Sequence, residues 1–309
     1  MKKEEFYYAS RDEKSQIHAI RYTPEGVEPW CVLQIVHGMA EHIERYDAFA
    51  KFLAKRGIVV TGASHLGHGK SVGEGQVQGY FCEVDPATVV VRDVHRLKKM
   101  TESIYPNLPY FILGHSMGSF ITRNYISRYG TGIEGAIIMG SGVMPSGMIK
   151  ASKAAMNIIA KVHGEKHVSK FCDNLAFGSY NARIENPKTV SDWLSTDEKE
   201  VQKYIDDPMC GFTFTMNGFK GLMELIDRAH KQEYIEKIPK ELPLYVIAGE
   251  EDPVGSYGQV VTELPKLWAQ YGITKVEAKG YKNARHEILN DACRDEVMED
   301  IYAWLKKEV

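Results

Sequence analysis

The feature that most restricts the fold of this chain is an alternation: short apolar runs repeatedly give way to stretches in which apolar residues recur at helical spacing. That pattern marks βαβ units and a parallel sheet. Cys31 to Val36 is one such run and ends at His37-Gly38. Ala48, Phe49, Phe52 and Leu53 follow on one helix face, and Gly57 stops that helix before the next run, Ile58 to Thr61. Asp85 supplies an N-cap with Pro86 at the first helical position. Val90, Val94, Leu97 and Ile104 then form an apolar stripe before Pro106 ends the helix. Tyr110 to Leu113, Gly135 to Met139, Leu244 to Ala248 and Lys275 to Ala278 read as further strands, with helices over 117–129 and near 293–306. Phe6 to Ala9 and Gln16 to Tyr22 read as two antiparallel strands ahead of the alternation. The expectation is an α/β protein with a mostly parallel central sheet flanked by helices.

The alternation breaks between about residues 144 and 235, where helical or irregular polar stretches replace strand-like runs. Ile149 to Val162, Asp197 to Ile205 and Phe219 to His230 carry the helical patterns. No Gly/Ser-rich linker would let this segment swing free. It is therefore expected to pack on the sheet as a helical cap (144–235), with 1–143 and 236–309 forming the core.

Composition narrows the class further. At 309 residues the chain has room for one large domain or a core with a smaller second unit. A formal charge of -3, with 26% charged residues, gives no electrostatic reason to seek nucleic acid. Runs such as CVLQIV and YFIL fall far short of the roughly 20 residues that cross a bilayer. The opening MKKEEFYYASRDEK lacks the apolar core of a signal peptide. Cys31, Cys82, Cys172, Cys210 and Cys293 form no CxxC pair and read as reduced, small core hydrophobes, so the expected compartment is cytoplasmic.

The sharpest chemical signal is Gly114-His115-Ser116-Met117-Gly118, a GxSxG match between the strand ending at Leu113 and an immediate helix. The context carries more weight than the pattern. A tight strand-to-helix turn strains the serine backbone and exposes its hydroxyl, while flanking glycines let strand and helix approach without a Cβ clash. Serine needs a base, and in this architecture acid and histidine follow it in that order. Of eleven histidines only His286 lies beyond Leu244 to Ala248, in the polar loop Lys282 to Glu287. The acid should follow the preceding strand, where Gly249-Glu250-Glu251-Asp252-Pro253 stands. Asp252 is the choice, with Glu250 and Glu251 open because spacing alone does not orient a carboxylate. The Met117 amide, at the start of a helix, is one expected oxyanion donor, and the Met39 amide after His37-Gly38 is the other. His65 with His68, and His163 with His167, lack metal-site spacing, and the glycine-rich segments match no nucleotide motif, so neither metal nor cofactor is expected.

These residues resemble the serine α/β-hydrolases of the monoacylglycerol lipase and lysophospholipase type, grouped with serine aminopeptidases as hydrolase-4. The resemblance spans nearly the whole chain. It rests on His37-Gly-Met-Ala-Glu41-His42 with Arg45-Tyr46, on Leu66 to Ser71, on Gly114 to Gly118, on Gly249 to Pro253 and on Arg285-His286-Glu287. It implies an α/β-hydrolase fold with nucleophile Ser116, acid Asp252, base His286 and oxyanion amides Met39 and Met117. One departure is Ser64, where the family commonly has an acidic residue.

The implied substrate is a carboxylic ester, often a monoacylglycerol or lysophospholipid, with the cap forming an acyl tunnel. Met139, Met144, Met148, Met156, Met209, Met216 and Met223, with Phe171, Phe177, Phe212, Phe214 and Phe219, suit such a tunnel or the cap's own core. The expected reaction is ester hydrolysis through an acyl-enzyme. A short-chain carboxylesterase, an acyltransferase or an aminopeptidase would use the same triad. A non-catalytic binding module is opposed by the complete triad. No basic amphipathic helix stands out in 144–235, so membrane contact is expected to be at most transient.

Overall fold

The structure, a computed structural model, describes residues 1–309. Its strands are β1 (Lys2–Ala9), β2 (Gln16–Thr23), β3 (Cys31–Val36), β4 (Ile58–Ala63), β5 (Tyr110–His115), β6 (Gly135–Met139), β7 (Leu244–Gly249) and β8 (Val276–Tyr281). They form one sheet in the order β1-β2-β4-β3-β5-β6-β7-β8. Only β2 runs against the rest, pairing antiparallel with both β1 and β4. The helices are α1 (Asp47–Ala54), α2 (Pro86–Ile104), α3 (Met117–Tyr129), α4 (Ser146–His163), α5 (Lys170–Phe177), α6 (Glu198–Asp206), α7 (Met216–His230), α8 (Gln232–Ile235), α9 (Val260–Ala269) and α10 (Arg294–Glu308).

Every residue of β3 through β7 is buried, as expected for parallel strands covered on both faces. The period-2 alternation sorts them: Tyr110 and Ile112 of β5 join the core under α2, α3 and α9, while Phe111 and Leu113 join the core under α1 and α10. The Asp85 carboxylate accepts from the Thr88 amide at 3.3 Å and caps α2 ahead of Pro86. Gly57 follows α1 with φ 84°, a conformation open to glycine, beneath the Trp30 ring.

Three elements differ from the sequence reading. The last strand runs Val276–Tyr281 rather than Lys275 to Ala278, because it is an edge strand with Glu277 and Ala278 exposed and offers no apolar run. Helix α9 contains Pro265, which obscures its pattern, although Val260, Leu264 and Trp268 are buried at helical spacing. Helix α5 buries only Cys172 and so lacks a long apolar stripe.

Between β6 and β7 the chain forms α4 to α8. Helix α7 packs on α2 and α3 as well as on α4. Polar side chains fasten it there: Asn217 accepts from the Phe81 amide and donates to the Cys82 carbonyl, and Asn124 of α3 donates to the Leu225 carbonyl. No helix is long and apolar enough to cross a membrane.

Candidate active site

At the end of β5 the backbone turns through Ser116 at φ 53°, ψ -120°, a conformation belonging to neither strand nor helix. Such positions cost on the order of 1–3 kcal/mol and persist only where the surroundings enforce them. Here the two glycines do. A Cβ on Gly118 would lie 1.9 Å from the Val36 carbonyl oxygen, and one on Gly114 would lie 2.3 Å from the Gly118 oxygen. Helix α3 therefore presses against β3 and β5 with no room for a side chain. The Ser116 amide donates to the Met139 carbonyl at 2.9 Å, and its carbonyl accepts from the Ser119 amide and hydroxyl. Its side chain stays partly exposed.

Asp252 follows β7 and is fully buried, accepting from the Val254 amide at 2.9 Å. His286, in the loop after β8, sets Nδ1 2.9 Å from Asp252 Oδ1. Glu250 and Glu251, the alternative carboxylates, are exposed, and Asp252 is the one of the three that faces His286. Ser116 and His286 line one cavity of about 670 Å³, together with Gly38, Met39 and Met117.

The loop after β3 closes on the serine. A Cβ on Gly38 would stand 3.0 Å from Ser116 Cβ and 2.7 Å from Glu41 Oε1. The Gly38 amide is committed to Glu41 Oε1 at 2.6 Å, which leaves Met39 as the next amide along this loop. Met117 opens α3, so its N–H has no acceptor within the helix and sits at the positive end of the helix dipole.

Beneath these residues lies a charged network whose long-range pairing the sequence did not show. Glu41 Oε1 accepts from the Tyr46 hydroxyl at 2.9 Å and faces His115 Nδ1 at 3.0 Å, while Glu41 Oε2 accepts from Arg45 Nη1 at 2.9 Å. Arg45 then reaches Glu287 through two hydrogen bonds of 2.6 Å, the bidentate fork that guanidinium and carboxylate favour. Burial opposes charge on Glu41 and on His115. Their mutual attraction, with Arg45, outweighs it, holding Glu41 well below the usual carboxylate range and raising His115. The only sequence signal for these residues was the run from His37 to Tyr46 and the Arg285-His286-Glu287 triplet.

The histidines set aside as metal pairs have other partners. His65 Nε2 faces the His37 carbonyl, the His65 amide donates to His37 Nε2, and His68 Nδ1 faces the Leu66 carbonyl. Burial lowers His65 to about 4 and His68 to about 3, so both brace this loop as neutral rings. Ser64 works through its carbonyl, which accepts from Ser71 Oγ at 2.6 Å and ties the Leu66 to Ser71 loop to β4. His163 and His167 stack at 4.6 Å on the far end of α4.

The expected tunnel residues divide. Met144, Met148, Phe177 and Phe212 line the cavity, with Leu222 and Ile226 from α7. Met156, Met216, Met223, Phe214 and Phe219 are buried in packing instead, and Phe171 is 68% exposed. The loop bearing His286 is held from above: its amide donates to the Trp193 carbonyl, Glu287 N–H to the Leu194 carbonyl, and Arg285 Nη1 to the carbonyls of Asp192 and Ser195.

The family described as serine aminopeptidase, S33 (hydrolase-4) matches residues 28–292. The chain belongs to this family. The monoglyceride lipase homolog of Monkeypox virus is 26% identical over 284 residues, covering 91% of each chain. The monoacylglycerol lipase of Mycolicibacterium smegmatis is 26% identical over 287 residues, covering 92% of this chain and 90% of its own. Among solved structures, a thermostable carboxyl esterase from Bacillus coagulans, in complex with glycerol, superposes over all of both chains with a TM-score of 0.93 and 32% identity. This member of the family is an α/β-hydrolase and a carboxylic ester hydrolase, whose substrates are small-molecule esters or lipids.

Proposed function

We propose that this protein hydrolyses monoacylglycerols, with Ser116 as nucleophile, His286 as base and Asp252 as the group that orients it. In this reading Ser116 Oγ attacks the ester carbonyl while His286 Nε2 takes its proton. The Met39 and Met117 amides receive the oxyanion, and His286 then protonates the departing glycerol. Water, activated by the same imidazole, releases the fatty acid. Asp252 pairs with Nδ1 and so keeps Nε2 free for this exchange. Residues 144–235 act as a cap that supplies the acyl wall. The observation that carries the proposal is one cavity of about 670 Å³ with Ser116 and His286 on its floor and Met144, Met148, Phe177, Leu222 and Ile226 in its walls, a volume suited to a lipid chain.

The likeness to a carboxyl esterase over the whole chain favours a second reading, in which short esters are the better substrates. A p-nitrophenyl ester series from acetyl to palmitoyl, followed by monoacylglycerol, separates the two. Turnover that rises with chain length and vanishes in Ser116→Ala supports the lipase reading. Turnover confined to acetyl and butyryl esters supports the esterase.

A further inference from the structure

His42, Asp207 and Cys210 come together where the loop after β3 meets the loop between α6 and α7, and the catalytic reading gives none of them a part. One ligand atom from each lies within 4.8 Å of the other two. His42 Nε2 stands 2.8 Å from Asp207 Oδ2. The Cys210 amide donates to the Asp207 carbonyl in a tight turn, which aims carboxylate and thiol toward the same imidazole. We propose that these three side chains form a binding site for one divalent ion of the zinc class.

The donor set favours that class over magnesium or calcium. One imidazole nitrogen, one thiolate and one carboxylate suit a borderline ion in tetrahedral geometry, with a fourth position left to solvent. Bonds of about 2.0–2.3 Å place tetrahedral donors roughly 3.5 Å apart, so sub-ångström to ångström adjustments of the half-buried loop bearing Asp207 and Cys210 suffice.

A second observation concerns the other imidazole nitrogen. His42 is 4% exposed and its Nδ1 is buried with no hydrogen-bond partner. The Glu44 carboxylate stands beside it, Oε2 at 3.7 Å. With Nε2 on the ion, the remaining proton belongs on Nδ1 and faces that carboxylate, the arrangement by which metal-bound histidines fix their tautomer. Ion entry thus replaces the His42 to Asp207 hydrogen bond and gives Nδ1 a role. It also releases the Cys210 thiol proton, so binding weakens as pH falls. Burial raises the Cys210 thiol above its ordinary range, and the Arg45 guanidinium opposes this while Asp207, Glu41 and Glu287 add to it, so the ion itself must displace the proton. The ion would join the loop carrying Met39 to the far wall of the cavity, where the Gly211 amide already donates to the Ala40 carbonyl at 3.0 Å.

The test uses the full chain stripped with EDTA. Zinc chloride is titrated against it in competition with a chromophoric chelator, and cobalt(II) serves as a spectroscopic probe. The expected result is one zinc per chain, a raised Tm on zinc addition, and a thiolate-to-cobalt charge-transfer band. Cys210→Ser abolishes the band, and both Cys210→Ser and Asp207→Asn lower zinc affinity at least tenfold while each variant keeps the unliganded Tm within a few degrees. Absence of stoichiometric binding overturns the proposal. So does zinc binding that survives Cys210→Ser and Asp207→Asn, or that is lost in His163→Ala, since the ion would then sit elsewhere.

Discussion

Beneath Ser116 lie Glu41, Arg45 and Glu287, ion-paired side chains no more than 10% exposed, whereas the roof of the same cavity carries Met148 and Val190 at 57% and 88% exposure. The floor is held by hydrogen bonds that fix each side chain from several directions. Helices α4 and α5 of the same region also expose Ile158, Val162, Phe171 and Leu175. A buried charge tolerates no loss of its partner, while an exposed thioether tolerates many replacements. Under the proposed mechanism, the contrast gives transition-state geometry to the floor and substrate range to the roof.

The severest way to test that division is at the floor's apex. Ser116→Ala is expected to cut ester turnover by about 10⁴-fold or more with Tm little changed, since alanine removes the hydroxyl but keeps the Cβ and the same backbone strain; steady-state kinetics beside a thermal melt reads both. Next comes the network. Arg45→Met leaves Glu287 as an uncompensated buried charge and Glu41 with His115 as its remaining counter-charge, and is expected to cost about 3–5 kcal/mol in denaturant unfolding. Arg45→Lys, which keeps the charge and loses the fork, falls between. Equal stability of Arg45→Met and the parent would remove the floor's distinction from the roof.

Acid should weaken the floor in a defined window. His65 and His68 have folded values of about 4 and about 3, lowered by burial from an unfolded value near 6.5. Their depressed values mean the unfolded chain binds more protons below pH 6.5. The stability they contribute is therefore whole above that pH and declines as pH falls toward 4 and 3. A melt series from pH 7.5 to 4 tests this, with His68→Gln expected to flatten the decline. The smallest effect belongs to the roof: Met148→Ala is expected to shift stability by no more than about 0.5 kcal/mol, yet to raise KM for long-chain esters more than for acetyl ester.

What the sequence revealed follows the same contrast between local and distant order. Strands β3 to β7 were legible because burial on two faces writes a mostly apolar run, interrupted by buried Gln34 in β3 and Thr61 in β4, and Ser116 was legible because its glycines must flank it in the chain. The pairing of Arg45 with Glu287 was not, since 242 residues separate them and no periodicity links their positions. Asp252 could not be told from Glu250 and Glu251 by spacing, because orientation depends on the β7 turn rather than on residue type. The division of the methionines between cavity wall and packing was equally hidden: α4 and α7 each turn one face to the cavity and another to each other, and thioethers serve both.

The hydrogen bonds from the His286 loop to residues 192–195 carry a consequence for exchanging parts between relatives. The imidazole that the proposed mechanism uses as its base is seated on a segment that sequence order assigns to the insertion, and Asp291, fully buried, accepts from both the Thr196 and Arg285 amides. A chimera that replaced 144–235 wholesale would import a foreign seat for its own imidazole. Grafts bounded by α4 and the end of α5 would change the specificity surface while leaving that seat native, and they mark where recombination within the family can proceed without disturbing the proton shuttle.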